Sequence, residues 1–298
     1  MSNVKPEDFF GKEDLTQKVD TEVKKVADTF MFAMKYKEQF QASGIEFSDL
    51  RQYQTSDDAS RIDWKNSATG DDLYVKEYEE EKDLDVFVIV DASDSMMFGT
   101  ADKLKSEYAA IVAAAIAYAS IDMGINVGFG IYGDDELVML PDGGQAQYQK
   151  ILTEITRFDN YGGDFNLEHA LDSVVGQIKE NTSIFLISDF LSVEGDWKSK
   201  MLVSSKKFRH VLNIMVRDLR DTKLPDAGNF RFEDISGNGQ LVANTSKIRE
   251  EFEEKVKEEE QKTINKIEAS GASVIRVDTR ENFSGKVAQY IDEEGDEW

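Results

Sequence analysis

The clearest feature of the chain is a series of short apolar runs that alternate with longer segments of helical periodicity. The first run, Leu84 to Val90, is rich in Val and Ile and predicts a buried strand of a parallel sheet. Further strands are predicted at Asn126 to Tyr132, Glu136 to Leu140, Ser183 to Ile187, Val211 to Val216 and Val274 to Val277. The strand Glu136 to Leu140 is predicted to form a hairpin with Asn126 to Tyr132.

Apolar residues recur at helical spacing between the predicted strands. One such stripe runs from Lys103 to Ala119, another over residues 167–178, and a long acidic one from Ile248 to Ala269. Strands that alternate with helices in this way predict a Rossmann-like, doubly wound α/β fold with a mostly parallel sheet. Apolar residues on both sides of Gly237-Asn238-Gly239 predict a small β-hairpin insertion at about 228–245.

The first part of the chain has a different pattern. Asp20 to about Tyr36 has helical spacing and predicts a packing helix, and Leu73 to Tyr78 alternates like a half-exposed strand. Between them, Phe47 to Lys65 mixes acidic, basic and aromatic residues without a clean period, which is typical of a solvated loop. We therefore predict an N-terminal helix and strand extension over residues 1–82 and an α/β domain over residues 83–298.

Composition narrows the classes of function. The formal net charge of −24 argues against nucleic-acid binding, which needs clustered Lys and Arg. No run approaches the roughly 18 consecutive apolar residues of a membrane span, and the start lacks the pattern of a signal peptide, so we expect a cytoplasmic protein. The chain has no cysteine and only two histidines, which excludes disulfides and zinc-thiolate sites and disfavours a multi-histidine metal site.

Small oxygen-bearing side chains follow two of the predicted strands. Asp91, Ser93 and Ser95 come after the first strand, and Asp189 comes after Ser183 to Ile187. The carboxyl ends of parallel strands meet at one edge of the sheet, where open α/β folds bind their ligands. Oxygen donors suit a hard divalent cation such as Mg²⁺ or Mn²⁺. Ser and Asp are also favoured helix caps, so the first group alone fits a capping turn equally well.

A glycine-opened turn adds a third group of oxygen donors. Gly162 and Gly163 are followed by Asp164, Phe165 and Asn166, just before a predicted helix. In a parallel sheet this turn would lie at the same edge as the two strand ends, so one cation could contact all three groups. This convergence favours a metal site over a capping turn.

The pattern Asp91-x-Ser93-x-Ser95, followed by Asp189, resembles the metal-ion-dependent adhesion site of von Willebrand factor A domains. The resemblance implies that the two serines bind the metal directly and the two aspartates directly or through water. Such sites normally add a threonine from the glycine turn. Phe165 occupies that position here. Either Asp164 or Asn166 supplies the missing oxygen, or the site binds metal weakly or not at all.

The upstream segment resembles the signature of the domain of unknown function 58 (DUF58) family. Phe47 to Lys65 and the pattern Val75-Lys76-x-Tyr78-x-x-Glu81 carry this resemblance, which extends from roughly residue 36 to the C-terminus. Family members place the segment just before an A-type domain. The resemblance therefore favours a family hallmark over a solvated loop for this segment.

The resemblance implies a non-enzymatic interaction module, an adaptor that works with a MoxR-type AAA+ ATPase on the assembly or maturation of an unknown client protein. Two alternatives stay open. One is a structural scaffold with a degenerate metal site, motivated by Phe165. The other is a metal-dependent phosphatase or hydrolase with Asp91 as nucleophile. Haloacid-dehalogenase enzymes place an aspartate two residues after the nucleophile, where this chain has Ser93, and the chain has no P-loop pattern for ATP.

Overall fold

The computed structural model describes residues 23–24, 27–28, 50–52, 74–76, 84–100, 103–191, 193, 195–233, 240–283 and 285–286. By its contacts the chain divides into two units, Met1–Ala33 with Leu84–Trp298, and Met34–Asp83. This division differs from the predicted limits of 1–82 and 83–298 in the placement of the first 33 residues.

The described residues of the smaller unit form two short antiparallel strands, β1 (Leu50–Gln52) and β2 (Tyr74–Lys76). β2 lies within the strand predicted at Leu73 to Tyr78. The rest of the Phe47 to Lys65 segment lies outside the described residues. Of the helix predicted from Asp20 to Tyr36, only four residues are described, and these four are helical.

A six-stranded sheet forms the centre of the larger unit. Its strands are β3 (Asp85–Asp91), β4 (Asn126–Tyr132), β5 (Glu136–Asp142), β6 (Thr182–Ser188), β7 (His210–Arg217) and β10 (Ser273–Asp278). They lie in the order β10-β7-β6-β3-β4-β5, with β5 antiparallel and the other five parallel. β3 and β6 are buried along their whole length, as their apolar sequences require. The prediction of a mostly parallel sheet is confirmed.

Helices cover both faces of this sheet. They are α1 (Lys105–Asp122), α2 (Gly144–Ile155), α3 (Leu167–Gln177), α4 (Trp197–Lys207), α5 (Leu219–Thr222) and α6 (Thr245–Glu268). α1 packs on β3 and against α2. On the other face, Phe87 and Ile89 of β3 belong to a buried cluster with Leu171 of α3, Met201 of α4 and Ile267 of α6. The doubly wound arrangement is therefore confirmed.

Two further strands, β8 (Asn229–Glu233) and β9 (Gln240–Asn244), form an antiparallel pair between α5 and α6. This pair is the predicted hairpin insertion. The glycine turn predicted at 237–239 lies outside the described residues.

Helix α4 lies in a segment for which the sequence predicts no element. Its buried apolar side chains are Trp197 and Met201, whereas Leu202 is 40% exposed and Val203 is 50% exposed. The remaining positions are lysines and serines, so the apolar stripe is too thin to be recognised by its period.

A partly buried ion network ties β7 and β10 to α6. Nε of Arg217 donates to Oε2 of Glu260 at 2.9 Å, and Nε of Arg276 donates to Oε1 of the same carboxylate at 2.8 Å. Arg217 also donates through its guanidinium to the backbone carbonyl of Asp189, at the end of β6. Its side chain is only 3% exposed, so it depends on these partners for the solvation of its charge.

Glu260→Gln should lower the free energy of unfolding by about 2 kcal/mol, because it leaves the buried Arg217 charge without its counter-ion. Urea unfolding of the full chain measures this effect. Glu259→Gln is the matched control, since Glu259 pairs with Lys262 at the solvent-exposed surface, and no measurable change is expected there. Equal free energies of unfolding for the two variants would show that the ion pairs of Glu260 do not stabilise the packing of α6 on β7 and β10.

Candidate metal centre

The centre begins where β3 ends, and the register of the sheet brings its first two side chains together. Val90 of β3 faces Ile187 of β6, so the next residues, Asp91 and Ser188, lie side by side. The hydroxyl of Ser188 donates to Oδ2 of Asp91 at 2.5 Å. Asp91 is only 2% exposed, so this strand-to-strand hydrogen bond replaces contact with water.

The second oxygen of Asp91 orients the loop that follows. Oδ1 accepts hydrogen bonds from the backbone N–H of Ser93 at 2.9 Å and from its hydroxyl at 2.6 Å. The hydroxyls of Ser93 and Ser95 are 3.1 Å apart. Neighbouring oxygens on an octahedral Mg²⁺, each about 2.1 Å from the metal, are about 3.0 Å apart. The two hydroxyls are thus spaced like adjacent ligands of such an ion.

The capping alternative can be tested at the same residues. A short 3₁₀ helix, Asp94–Met97, follows Ser93, but the Ser93 side chain makes no capping hydrogen bond to it. Helix α1 begins twelve residues downstream of Ser93, at Lys105, and is preceded by Leu104. The Ser93 hydroxyl therefore serves Asp91 and Ser95 rather than a helix end.

The glycine turn is fastened to this loop by backbone hydrogen bonds. The N–H of Gly162 donates to the carbonyl of Ala92 at 2.8 Å, and Asp94 N–H donates to the carbonyl of Gly163 at 2.9 Å. Gly163 has φ of +74°, and a Cβ there would lie 1.9 Å from Oδ1 of Asp134. Glycine is favoured here because this left-handed backbone conformation is strained for residues with a side chain.

The side chains after the two glycines go to different places. Asp164 is exposed. Phe165, at the position where the resemblance expects threonine, is 8% exposed and belongs to the buried cluster beneath α3 and α4. Oδ1 of Asn166 accepts the backbone N–H of His169 at 2.9 Å and so caps α3. Of the two predicted oxygen donors in this turn, Asn166 is therefore engaged by the helix.

Asp189, the predicted ligand from β6, is held by a buried lysine. Its Oδ2 lies 2.7 Å from Nζ of Lys105, and its Oδ1 accepts the backbone N–H of Leu191 at 2.9 Å. Both charged side chains are 1% exposed. Lys105 also lies 3.1 Å from Oδ2 of Asp221. Phe190, which follows Asp189, has φ of +53°, a strained conformation outside glycine that fixes the direction of this turn.

Sequence reasoning missed three participants, namely Ser188, Lys105 and Asp221. Ser188 had a usable signal, since two neighbouring parallel strands that end together place their last side chains side by side. Lys105 had a weaker signal, because it is the only basic residue in the largely apolar helix α1. Asp221 had none, because its short helix carries no pattern that the sequence reveals.

Burial raises the pKa of Asp91 to about 7, and the negative charge of Asp189 adds to this effect. The hydrogen bonds from Ser188 and Ser93 act in the opposite direction but are weaker. An anionic Asp91 is thus unfavourable without a nearby positive charge, and a divalent cation beside Ser93 would supply one.

Metal-free protein should lose stability as the pH rises from about 4 to about 7. In this range the folded protein keeps the proton on Asp91, whereas an unfolded aspartic acid, whose pKa is 3.8, has released it. The stabilisation is complete below the unfolded pKa and is lost as the pH passes the folded one. Urea midpoints of Asp91→Asn in EDTA should therefore vary less with pH than those of wild type. The exposed control Asp135→Asn should follow wild type, and an Asp91→Asn profile parallel to both would contradict the assignment.

The donor set fits a hard cation on the β3 side of the centre. Two hydroxyls and one carboxylate converge there, from Ser93, Ser95 and Asp91. Among the described residues, no three histidine, aspartate or glutamate side chains form a group that could hold a metal. Binding at this place would thus depend on serine oxygens.

Comparison with known families gives one extensive match. Residues 49–262, more than two thirds of the chain, match the family described as protein of unknown function DUF58. The match begins inside the segment Phe47 to Lys65, which carries the resemblance in the sequence.

Relatives and structures resemble the chain along most of its length. Uncharacterized proteins of Mycobacterium tuberculosis and Mycobacterium bovis are 26% identical over 252 residues, covering 83% of this chain and 79% of theirs. The conserved hypothetical protein BatB from Bacteroides thetaiotaomicron is 15% identical, with 72% and 99% coverage and a TM-score of 0.47. The SpRpn10 VWA domain is 9% identical, with 68% and 93% coverage and a TM-score of 0.40. At these TM-scores the fold assignment rests on the sheet order of the chain itself.

The helices in the described part of the chain are too short or too polar for a membrane span.

Proposed function

The chain belongs to the DUF58 family of proteins of unknown function, and from this premise we propose that it is a non-enzymatic protein-interaction module with a divalent-metal docking site. Its fold would be that of a von Willebrand A-like domain. In this proposal Mg²⁺ or Mn²⁺ is held by Ser93 and Ser95, with Asp91 beside them, and a carboxylate of a partner protein completes the coordination.

One observation carries the proposal, namely the 3.1 Å spacing of the Ser93 and Ser95 hydroxyls beside the buried carboxylate of Asp91. Asp91 fixes Ser93 through two hydrogen bonds, so the donors are arranged before any ion arrives. A bound cation would supply an electrophilic position for the partner's carboxylate. The residues of this chain would hold that position where β3 ends, beside the glycine turn.

The partner follows from the resemblance of the chain to DUF58 proteins that accompany MoxR-type AAA+ ATPases. The sequence has no P-loop pattern of its own, so ATP hydrolysis would belong to the partner. The chain would act as an adaptor between this ATPase and a client protein in assembly or maturation. Because the ATPase needs ATP, the proposal places the module in the cytoplasm.

A structural scaffold without a functional metal is the second candidate, and two observations favour it. Phe165 fills the core where an oxygen ligand is expected, and Lys105 already neutralises Asp189. The hydrolase alternative has less support, because both oxygens of Asp91 accept hydrogen bonds and the side chain is 2% exposed. A nucleophile has to reach its substrate.

Ser93→Ala combined with Ser95→Ala should weaken Mn²⁺ binding at least about tenfold, since it removes the two oxygens that coordinate the ion directly. Isothermal titration calorimetry of the full chain at pH 8 measures the affinity. Ser205→Ala is the matched control, as its hydroxyl donates to the carbonyl of Met201 within helix α4. If the double variant binds Mn²⁺ as tightly as wild type, or if wild type does not bind it, the proposed metal site is contradicted. Either result would favour the structural scaffold.

A MoxR-type ATPase from the same organism should be retained by the immobilised chain in Mg²⁺ and released in EDTA. The expected cause is loss of the metal-bridged carboxylate contact, so the double serine variant should also fail to retain the ATPase in Mg²⁺. Retention that EDTA and the variant leave unchanged would show docking elsewhere on the chain. A chain that retains no ATPase under either condition would contradict the adaptor role.

A further inference from the structure

The buried centre contains one ammonium group among three carboxylates. Nζ of Lys105 lies 2.7 Å from Oδ2 of Asp189 and 3.1 Å from Oδ2 of Asp221. Asp91 lies on the neighbouring strand, close enough to Asp189 for the two charges to interact. The side chains of Lys105, Asp189 and Asp221 are at most 6% exposed, so water screens these charges little.

The position of Lys105 in helix α1 brings its side chain into this centre. Lys105 stands at the first position of α1, a helix whose first two turns are largely buried. Its ammonium also lies 5.7 Å from the centre of the Phe98 ring, which covers it. A buried ammonium group needs partners of opposite charge, and Asp189 and Asp221 provide them.

We propose that Lys105 is a resident cation that withholds Asp189 from the divalent metal and so lowers the affinity of the site. The inference rests on the proposed metal site and names the residue that regulates it. The β3 side of the centre, with Ser93 and Ser95, keeps its oxygens available, whereas both oxygens of Asp189 are already engaged.

Two consequences follow from Coulomb's law in a buried site. Removing the ammonium leaves Asp189 and Asp221 without a counter-charge, so an added divalent cation should bind more tightly. Removing the charge of Asp221 instead leaves Lys105 to pair with Asp189 alone and makes the centre more positive, so the same cation should bind more weakly. The two changes act on affinity in opposite directions, which a general loss of structure would not do.

The experiment measures Mn²⁺ and Mg²⁺ affinity by titration calorimetry, together with the thermal midpoint with and without metal. Lys105→Met keeps the apolar stem and removes the charge. Asp221→Asn keeps an oxygen that can accept the backbone N–H of Asp218, as Oδ2 of Asp221 does at 2.8 Å. Lys200→Met is the matched control, because Lys200 of α4 pairs with Asp172 and is 33% exposed, outside the centre.

Lys105→Met is expected to tighten Mn²⁺ binding about tenfold or more and to gain a larger thermal shift from the metal than wild type. Asp221→Asn is expected to weaken binding several-fold, at least about threefold, and Lys200→Met to match wild type. Wild-type affinity in a folded Lys105→Met would overturn the inference while leaving the proposed function intact.

Other outcomes separate the inference from the proposed function. If Lys105→Met binds Mn²⁺ and the wild type does not, the result supports the inference and contradicts metal-dependent docking by the natural chain. If neither the wild type nor Lys105→Met binds Mn²⁺, both the inference and the proposed metal site are contradicted. If Lys105→Met is unfolded with and without Mn²⁺, the Mn²⁺ affinity of Asp221→Asn provides the test. An affinity equal to that of wild type would then overturn the inference.

Discussion

The buried pair of Lys105 and Asp189 is the interaction on which the carboxyl edge of the sheet depends. It joins the first turn of α1 to the end of β6, and Asp221 extends it to α5. Arg217 donates to the backbone carbonyl of Asp189, so two buried cations hold the side chain and the main chain of one residue. Because unpairing any of these charges would be unfavourable, the strand end that resembles a metal ligand is a fixed ion pair.

The remaining oxygen donors are organised from the opposite side, by β3 and the glycine turn. The two carboxylate oxygens of Asp91 accept hydrogen bonds from Ser188 and Ser93. Backbone hydrogen bonds from the turn at Gly163 fix the loop that follows Asp91. The serine hydroxyls are therefore positioned by the fold rather than by a bound ion. Such preorganisation lowers the entropy lost on binding and is what a docking site for a hard cation requires.

The sequence predicts the sheet well because its central strands are uninterrupted apolar runs, and β4 begins and ends where its pattern does. The contact between Asp91 and Ser188 could also have been predicted, since strands in register end side by side. Lys105 carried a weaker signal, because a lysine in a first helical turn is usually solvated and its burial depends on tertiary packing. Phe165 was recognisable as a departure from threonine, but its role in the core required the structure.

Whether the serine pair holds a metal is the central question, and a crystal soaked in Mn²⁺ answers it most directly. One anomalous-scattering peak is expected within about 2.5 Å of both hydroxyl oxygens of Ser93 and Ser95. Lys105 is expected to stay on Asp189 in that crystal. A fully soaked crystal with no peak beside the serines, or with a peak only elsewhere, would contradict the proposed metal site.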